Sequence, residues 1–129
     1  MSLFSNIFGV SESAKKESNE HFRRGYAAGS YGNLEGAIGE LKIALNKNPD
    51  NVEARTFYAI SLEKKGLYDD AIKEYQKAIK TDPGNFEAHA NYGKLLKNQG
   101  RLDDAIVELK EAVRIQPNNM QGRFHLGVV

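Results

Sequence analysis

Residues 66–83 read GLYDDAIKEYQKAIKTDP and residues 100–117 read GRLDDAIVELKEAVRIQP. Each opens on glycine, carries Asp-Asp-Ala-Ile at the same offset and closes on proline, and the second lies 34 positions after the first (66 to 100, 83 to 117). The same interval upstream gives residues 32–49, GNLEGAIGELKIALNKNP, with its own glycine, Ala-Ile pair and proline. Gly32, Gly66 and Gly100 form one column. Ala37, Ala71 and Ala105 form a second; Ile38, Ile72 and Ile106, then Ala44, Ala78 and Ala112, then Pro49, Pro83 and Pro117 continue the register. A period held in so many columns identifies repeated units, and such units must stack because none buries its apolar face alone. The chain divides into residues 18–51, 52–85 and 86–119, with 120–129 beginning a fourth unit and 1–17 an apolar N-terminal segment.

The second half of each unit carries apolar residues at helical spacing, as in Ala71, Ile72, Tyr75, Ala78 and Ile79. The first half repeats the pattern with Ala54, Tyr58, Ala59 and Leu62, and with Ala88, Tyr92, Gly93 and Leu96. Each unit therefore reads as a pair of helices. The glycine column ends the first helix, where a left-handed residue is cheapest without a β-carbon. Asp82-Pro83 and Gln116-Pro117 end the second, because the residue before proline is pushed out of helical geometry, and Asn85 or Asn119 caps the next helix. Small residues at Gly25, Ala59, Gly93 and Gly127 are expected to face Ala37, Ala71 and Ala105 and let the paired helices approach closely. The fold class is all-α: a solenoid of antiparallel helix pairs.

Composition narrows the function. The 129 residues carry 18 Lys plus Arg against 17 Asp plus Glu, so no global field draws the chain to nucleic acid or an anionic membrane. Cysteine is absent, which removes disulfides, thiolate nucleophiles and sulfur-based zinc sites, and suits a cytoplasmic setting. Mean hydropathy is -0.56 and no stretch reaches the roughly 18 to 20 apolar residues of a membrane span. Residues 1–10 lack a basic leader and their apolar residues are interrupted, so a secretory signal is not expected.

A 34-residue helix-turn-helix unit with these small, glycine, alanine and proline columns resembles the tetratricopeptide repeat. The second unit fits best, through Ala59, Leu62, Gly66, Tyr68, Ala71, Tyr75, Ala78 and Pro83. His21, Arg55 and His89 stand where that family commonly has tryptophan near the start of the first helix. The first unit departs further, with Gly25, Gly29, Gly36 and Gly39 inside its helices, and is expected to be the loosest. The resemblance implies a right-handed superhelix whose first helices line a concave groove.

Chemistry of other kinds is not expected. His21, His89 and His125 are far apart in sequence, and the shared repeat phase of His21 and His89 marks a packing or surface position rather than a metal site. Gly25, Gly29 and Gly32 in GYAAGSYG have neither a preceding strand nor a following Lys-Ser pair, so they form no phosphate loop. Asp69-Asp70 and Asp103-Asp104 open the second helix of their units, where negative charge caps and complements the dipole. The repeat assembles no grouping of serine, histidine and acid, so no catalytic residue, cofactor or metal is expected.

By the resemblance, and matched by repeat phase, the groove-facing positions are Phe22, Tyr26 and Gly29 in the first unit. They are Glu53, Thr56, Ile60, Glu63 and Lys64 in the second, and Glu87, Ala90, Lys94, Lys97 and Asn98 in the third. Such a groove runs from aromatic to basic, and suits a segment with an apolar side chain at one end and an anionic group at the other, unless Lys94 and Lys97 are simply a solvated helix face. One subclass of the family holds the acidic tail of heat-shock chaperones in a clamp of lysines, asparagines and arginine. Here Phe22, Tyr26, Phe57, Glu87 and Asn91 occupy those places, and such a tail is not expected to bind.

At the N-terminus, Leu3, Phe4, Ile7 and Phe8 could cap the first unit, dock into a neighbouring chain or touch a membrane surface, capping being the default. At the C-terminus Phe124, Leu126, Val128 and Val129 are too apolar for a finished cap. They point to further repeats or to end-to-end pairing of two copies, which the N-terminal segment could also mediate. The function expected is a non-catalytic scaffold or adaptor that holds a protein or peptide segment, with no nucleic-acid partner. The alternative is the substrate-recruiting repeat region of a larger enzyme whose catalytic part lies outside this chain.

Overall fold

Helix boundaries in this chain follow from a few capping side chains. Ser11, Asn33, Asn51 and Asn85 each accept a hydrogen bond from the backbone N–H three residues on, at 2.8 to 3.1 Å, satisfying donors that a helix start leaves open. The computed structural model describes residues 9–127, and among these it contains seven α-helices and no strand. They are α1 (Glu12–Ser30), α2 (Leu34–Lys47), α3 (Val52–Lys64), α4 (Tyr68–Thr81), α5 (Phe86–Asn98), α6 (Leu102–Ile115) and α7 (Met120–Gly127). α1 begins at Glu12, ahead of the repeat register at Ser18. Leu3, Phe4, Ile7 and Phe8, and Val128 and Val129, lie outside the described residues.

The glycine column behaves as the spacing requires. Gly32, Gly66 and Gly100 have φ of 81°, 87° and 78°. After α3, Gly66 N–H donates to the Glu63 carbonyl and Leu67 N–H to that of Leu62, both at 2.9 Å, and the same paired closure recurs after α1 and α5. The second helices stop at Asn48, Asp82 and Gln116, each just before its proline. One expectation needs correcting. Leu67 and Arg101 are the N-cap residues of α4 and α6 and make no side-chain cap, so Asp69, Asp70 and Asp103 act through the helix dipole, and Asp104 pairs with Arg101 at 3.1 Å.

α1, α3 and α5 each pack on the second helix of their own unit, and α1, α3, α5 and α7 touch in succession; among the described residues α2, α4 and α6 make no contact with one another. The first helices therefore form the shorter, inner arc of the stack. Close approach depends on small residues, with the nearest atoms on the leucine one turn beyond the alanine column and, for Gly25, the Ala37 carbonyl at 3.3 Å as well. A β-carbon on Gly25 would lie 2.8 Å from Leu41 Cγ and one on Gly93 2.7 Å from Leu109 Cγ, while Gly127 has open space. An aromatic joint links the second and third units, where Tyr75 is fully buried, stacks on Tyr92 with centroids 5.9 Å apart and donates from its hydroxyl to Glu63 at 2.8 Å. Burial, with Glu63 alongside, raises the Tyr75 phenol pKa far above its ordinary value and keeps it a donor.

The positions where the resembled repeat has tryptophan have a job of their own here. His21 meets Glu40 at 2.6 Å, Arg55 meets Glu74 at 3.0 Å and His89 meets Glu108 at 2.8 Å, each tying the first helix of a unit to its second. Arg55 and His89 also bond the carbonyl of the preceding proline, Pro49 and Pro83, at 2.9 and 2.7 Å. These histidines are structural cross-links. Among the described residues no group of three or more His, Cys, Asp or Glu could hold a metal ion.

Candidate functional site

Along the inner arc, the first two units meet through three rings. Phe57 on α3 lies 5.6 Å from Phe22 and 5.1 Å from Tyr26 by ring centroids, the latter edge-on, an arrangement that aromatic quadrupoles favour. Tyr26 remains 52% exposed. Beside this cluster opens a hollow of about 220 Å³ lined by Tyr26, Gly29, Leu34, Phe57, Ile60 and Lys64 among others. Its existence traces to two positions in the repeat. Where the second unit has Glu63 and Tyr75, which fill the space between α3 and α4, the first has Gly29 and Leu41. A β-carbon on Gly29 would touch only Ala37 Cβ, at 3.7 Å, so the space above it is free.

The other positions expected in the groove distribute unevenly. Glu53 and Arg23 border a second opening against the same rings, lined by Phe22, Tyr26 and Phe57. Glu63, Lys64 and Asn98 border a separate recess of about 260 Å³ with Tyr68 and Leu95. Glu87 accepts from Asn91 through its backbone carbonyl at 2.8 Å. Thr56 and Ala90 are each only 1% exposed and offer no surface to a ligand; in this repeat phase a short side chain falls into the contact between neighbouring first helices. Thr56 Oγ1 is moreover buried without a hydrogen-bond partner. Lys94 and Lys97 are half-buried rather than solvated, and Lys97 Nζ donates to His125 Nδ1 on α7 at 3.2 Å. Phe57, assigned by phase only as a replacement for a clamp residue, and His125 were not among the groove-facing positions. Phe57 could have been found as an aromatic one turn from Ile60 and level with Phe22, whereas His125 carries no distinguishing signal in sequence.

At the C-terminal end Phe124 is 64% exposed and Leu126 half-buried. No described helix is long and apolar enough to cross a membrane.

Two family models described as tetratricopeptide repeat match the chain, over residues 22–86 and 62–123. The chain belongs to the tetratricopeptide repeat family. A comparison with curated protein sequences gives no match. Among solved structures, this tetratricopeptide chain is similar to the Arabidopsis OM64 TPR domain at TM-score 0.84 and 18% identity, covering 89% of this chain and 95% of that one. It is similar to the first TPR of Spaghetti (RPAP3) bound to an HSP90 peptide at TM-score 0.85 and 16% identity, covering 92% of each. PilF of Pseudomonas aeruginosa superposes at TM-score 0.84 with 26% identity, over 91% of this chain and 54% of that one. The first two likenesses establish the all-α solenoid of tetratricopeptide helix pairs and nothing about the occupant of its inner face. The family as a whole is one of protein-interaction modules.

Proposed function

We propose that this domain is a non-catalytic scaffold or adaptor of the cytoplasm that holds a peptide segment of a partner protein along its inner arc, anchored by one large apolar side chain in the hollow between the first and second units. The observation that carries this reading is the hollow itself, roofless above Gly29 and walled by Tyr26, Phe57 and Ile60. An apolar cavity of ~150 Å³ admits a benzene-sized group, and burying one such side chain is worth about 1.5–3 kcal/mol, which is about tenfold or more in affinity. Aromatic walls suit an anchor because rigid rings lose little entropy on contact. The RPAP3 domain is described with an HSP90 peptide. An occupant of that kind does not suit this chain, since Phe22, Tyr26 and Phe57 stand where the clamp for such a tail has polar and basic groups.

Panning a random peptide library on the intact chain tests the reading. Wild type is expected to enrich peptides with a single aromatic or large aliphatic side chain at a fixed place. Gly29→Leu, which fills the hollow while improving helix propensity, should lose that enrichment with its helical circular dichroism intact. Equal enrichment by both proteins would remove the hollow as the site.

A further inference from the structure

Beyond the third unit, the inner arc brings two lysines and a histidine together from different helices. Lys94 and Lys97 on α5 are half-buried, and among the described residues neither forms an ion pair; Lys15, Lys47, Lys65 and Lys77 each meet a glutamate, and the other unpaired lysines, Lys16, Lys42, Lys64, Lys73, Lys80 and Lys110, are exposed. Lys97 Nζ carries only donors, so the imidazole nitrogen it meets, His125 Nδ1, must be the acceptor. The proton of the neutral ring then sits on Nε2. The charged groups acting on His125 are Lys97 and Lys94. α6, the other helix against α7, turns three of its acids elsewhere, Glu108 to His89, Glu111 to Arg114 and Asp104 to Arg101, and its fourth, Asp103, is exposed. On α7 itself the neighbouring charge is Arg123, and the Phe124 ring lies edge-on to the imidazole at 5.5 Å. Two cations are thus held near a third cationisable group, and no acid among the described residues forms an ion pair with any of the three.

We infer that Lys94, Lys97 and His125 form an oxyanion subsite that takes one carboxylate or phosphate group of the bound segment. The inference rests on the groove reading for the ligand being a peptide, but the subsite itself needs only an oxyanion. Once the anion is seated, Lys97 turns from Nδ1 to an anionic oxygen, Nδ1 takes a proton from solvent, and the imidazolium donates to the anion as a third charge-assisted partner. Burial, then Lys97 and Lys94, hold the His125 pKa below 6.5 in the free protein, and an anion reverses the lysine contribution. Binding at this end is therefore coupled to proton uptake: it strengthens as pH falls through the bound-state value and levels off below the lower, free-state value.

The test follows the His125 ring by NMR through a pH titration of the intact chain, alone and with inorganic phosphate or acetate at constant ionic strength set by chloride. Alone, His125 is expected to titrate below 6.5 and to rise in the Lys94→Gln, Lys97→Gln double variant. With phosphate or acetate the wild-type midpoint should move up by about 0.5 in pH or more, and by less than about half as much in the double variant; the anion giving the larger displacement names the group. A midpoint that neither anion moves, or that moves equally in the double variant, overturns the subsite. Panned peptides separate the two readings: a subsite that responds to phosphate while no peptide depends on Gly29 sinks the hollow alone, and peptides that fill the hollow without any anion response sink the subsite alone.

Discussion

The junction between the first and second units and the junction between the second and third use the same repeat positions to opposite ends. At the later junction Tyr75 is fully buried, stacked on Tyr92 and held through its hydroxyl by Glu63. One repeat earlier the same three places hold Leu41, Tyr58 and Gly29, and the result is a hollow rimmed by Tyr26 and Phe57. The difference shows that a repeat fixes where side chains point, not how full the space between them is. Filling it yields a rigid joint, and leaving it open yields a place for something else.

The largest expected effect breaks the filled joint. Tyr75→Ala should cost about 3–5 kcal/mol in urea denaturation, while Phe57→Ala, at the half-buried rim of the hollow, should cost visibly less. Equal losses would mean the two junctions are packed alike. A smaller effect probes the close approach of paired helices. Gly93→Ala drives a β-carbon to 2.7 Å from the buried Leu109 Cγ and should destabilise by about 1–3 kcal/mol despite better helix propensity. Gly39→Ala, which meets nothing within 4 Å, should instead stabilise by about 0.5–1 kcal/mol. A stable Gly93→Ala would show that the third unit has slack that its contacts hide.

Between the two junctions, Thr56→Val removes the buried hydroxyl that has no partner and should raise the melting temperature, by about 1 kcal/mol in stability; a fall would reveal a bond to this oxygen. The smallest effect is in pH. Burial opposes charge on His89, but its bonds to Glu108 and the Pro83 carbonyl outweigh it and raise its pKa above 6.5 in the folded chain. Stability from this contact is then complete below about 6.5 and lost as pH rises through the folded value, a dependence that His89→Gln should abolish in melting curves across that range.

Much of this architecture was legible in the spacing of residues. Three prolines and three glycines at equal intervals marked the C-terminal ends of α1 to α6, since backbone preferences act locally and survive any packing. Side-chain roles were less legible because they depend on which helix comes next. Thr56 and Ala90 share the phase of Phe22, yet they are small enough to sink between neighbouring first helices, where Phe22 joins a ring cluster at the surface. The ties from His21, Arg55 and His89 to Glu40, Glu74 and Glu108 recur at the repeat interval and were open to discovery as a pair of columns. The hollow was not, because the first unit's glycines read locally as weakness and only the neighbouring helix shows that one of them makes room. The same glycines leave the first unit expected to exchange its amide protons fastest.

Amide NMR mapping of a panned peptide on the labelled chain measures the division of labour between the junctions most directly. Shifts gathered at Tyr26, Gly29, Phe57 and Ile60, with the Tyr75 and Tyr92 region still, are the outcome expected of a filled joint beside an open one. Shifts gathered instead on the second helices, around the exposed Ile43 and Val107, would place the partner on the outer face and contradict it.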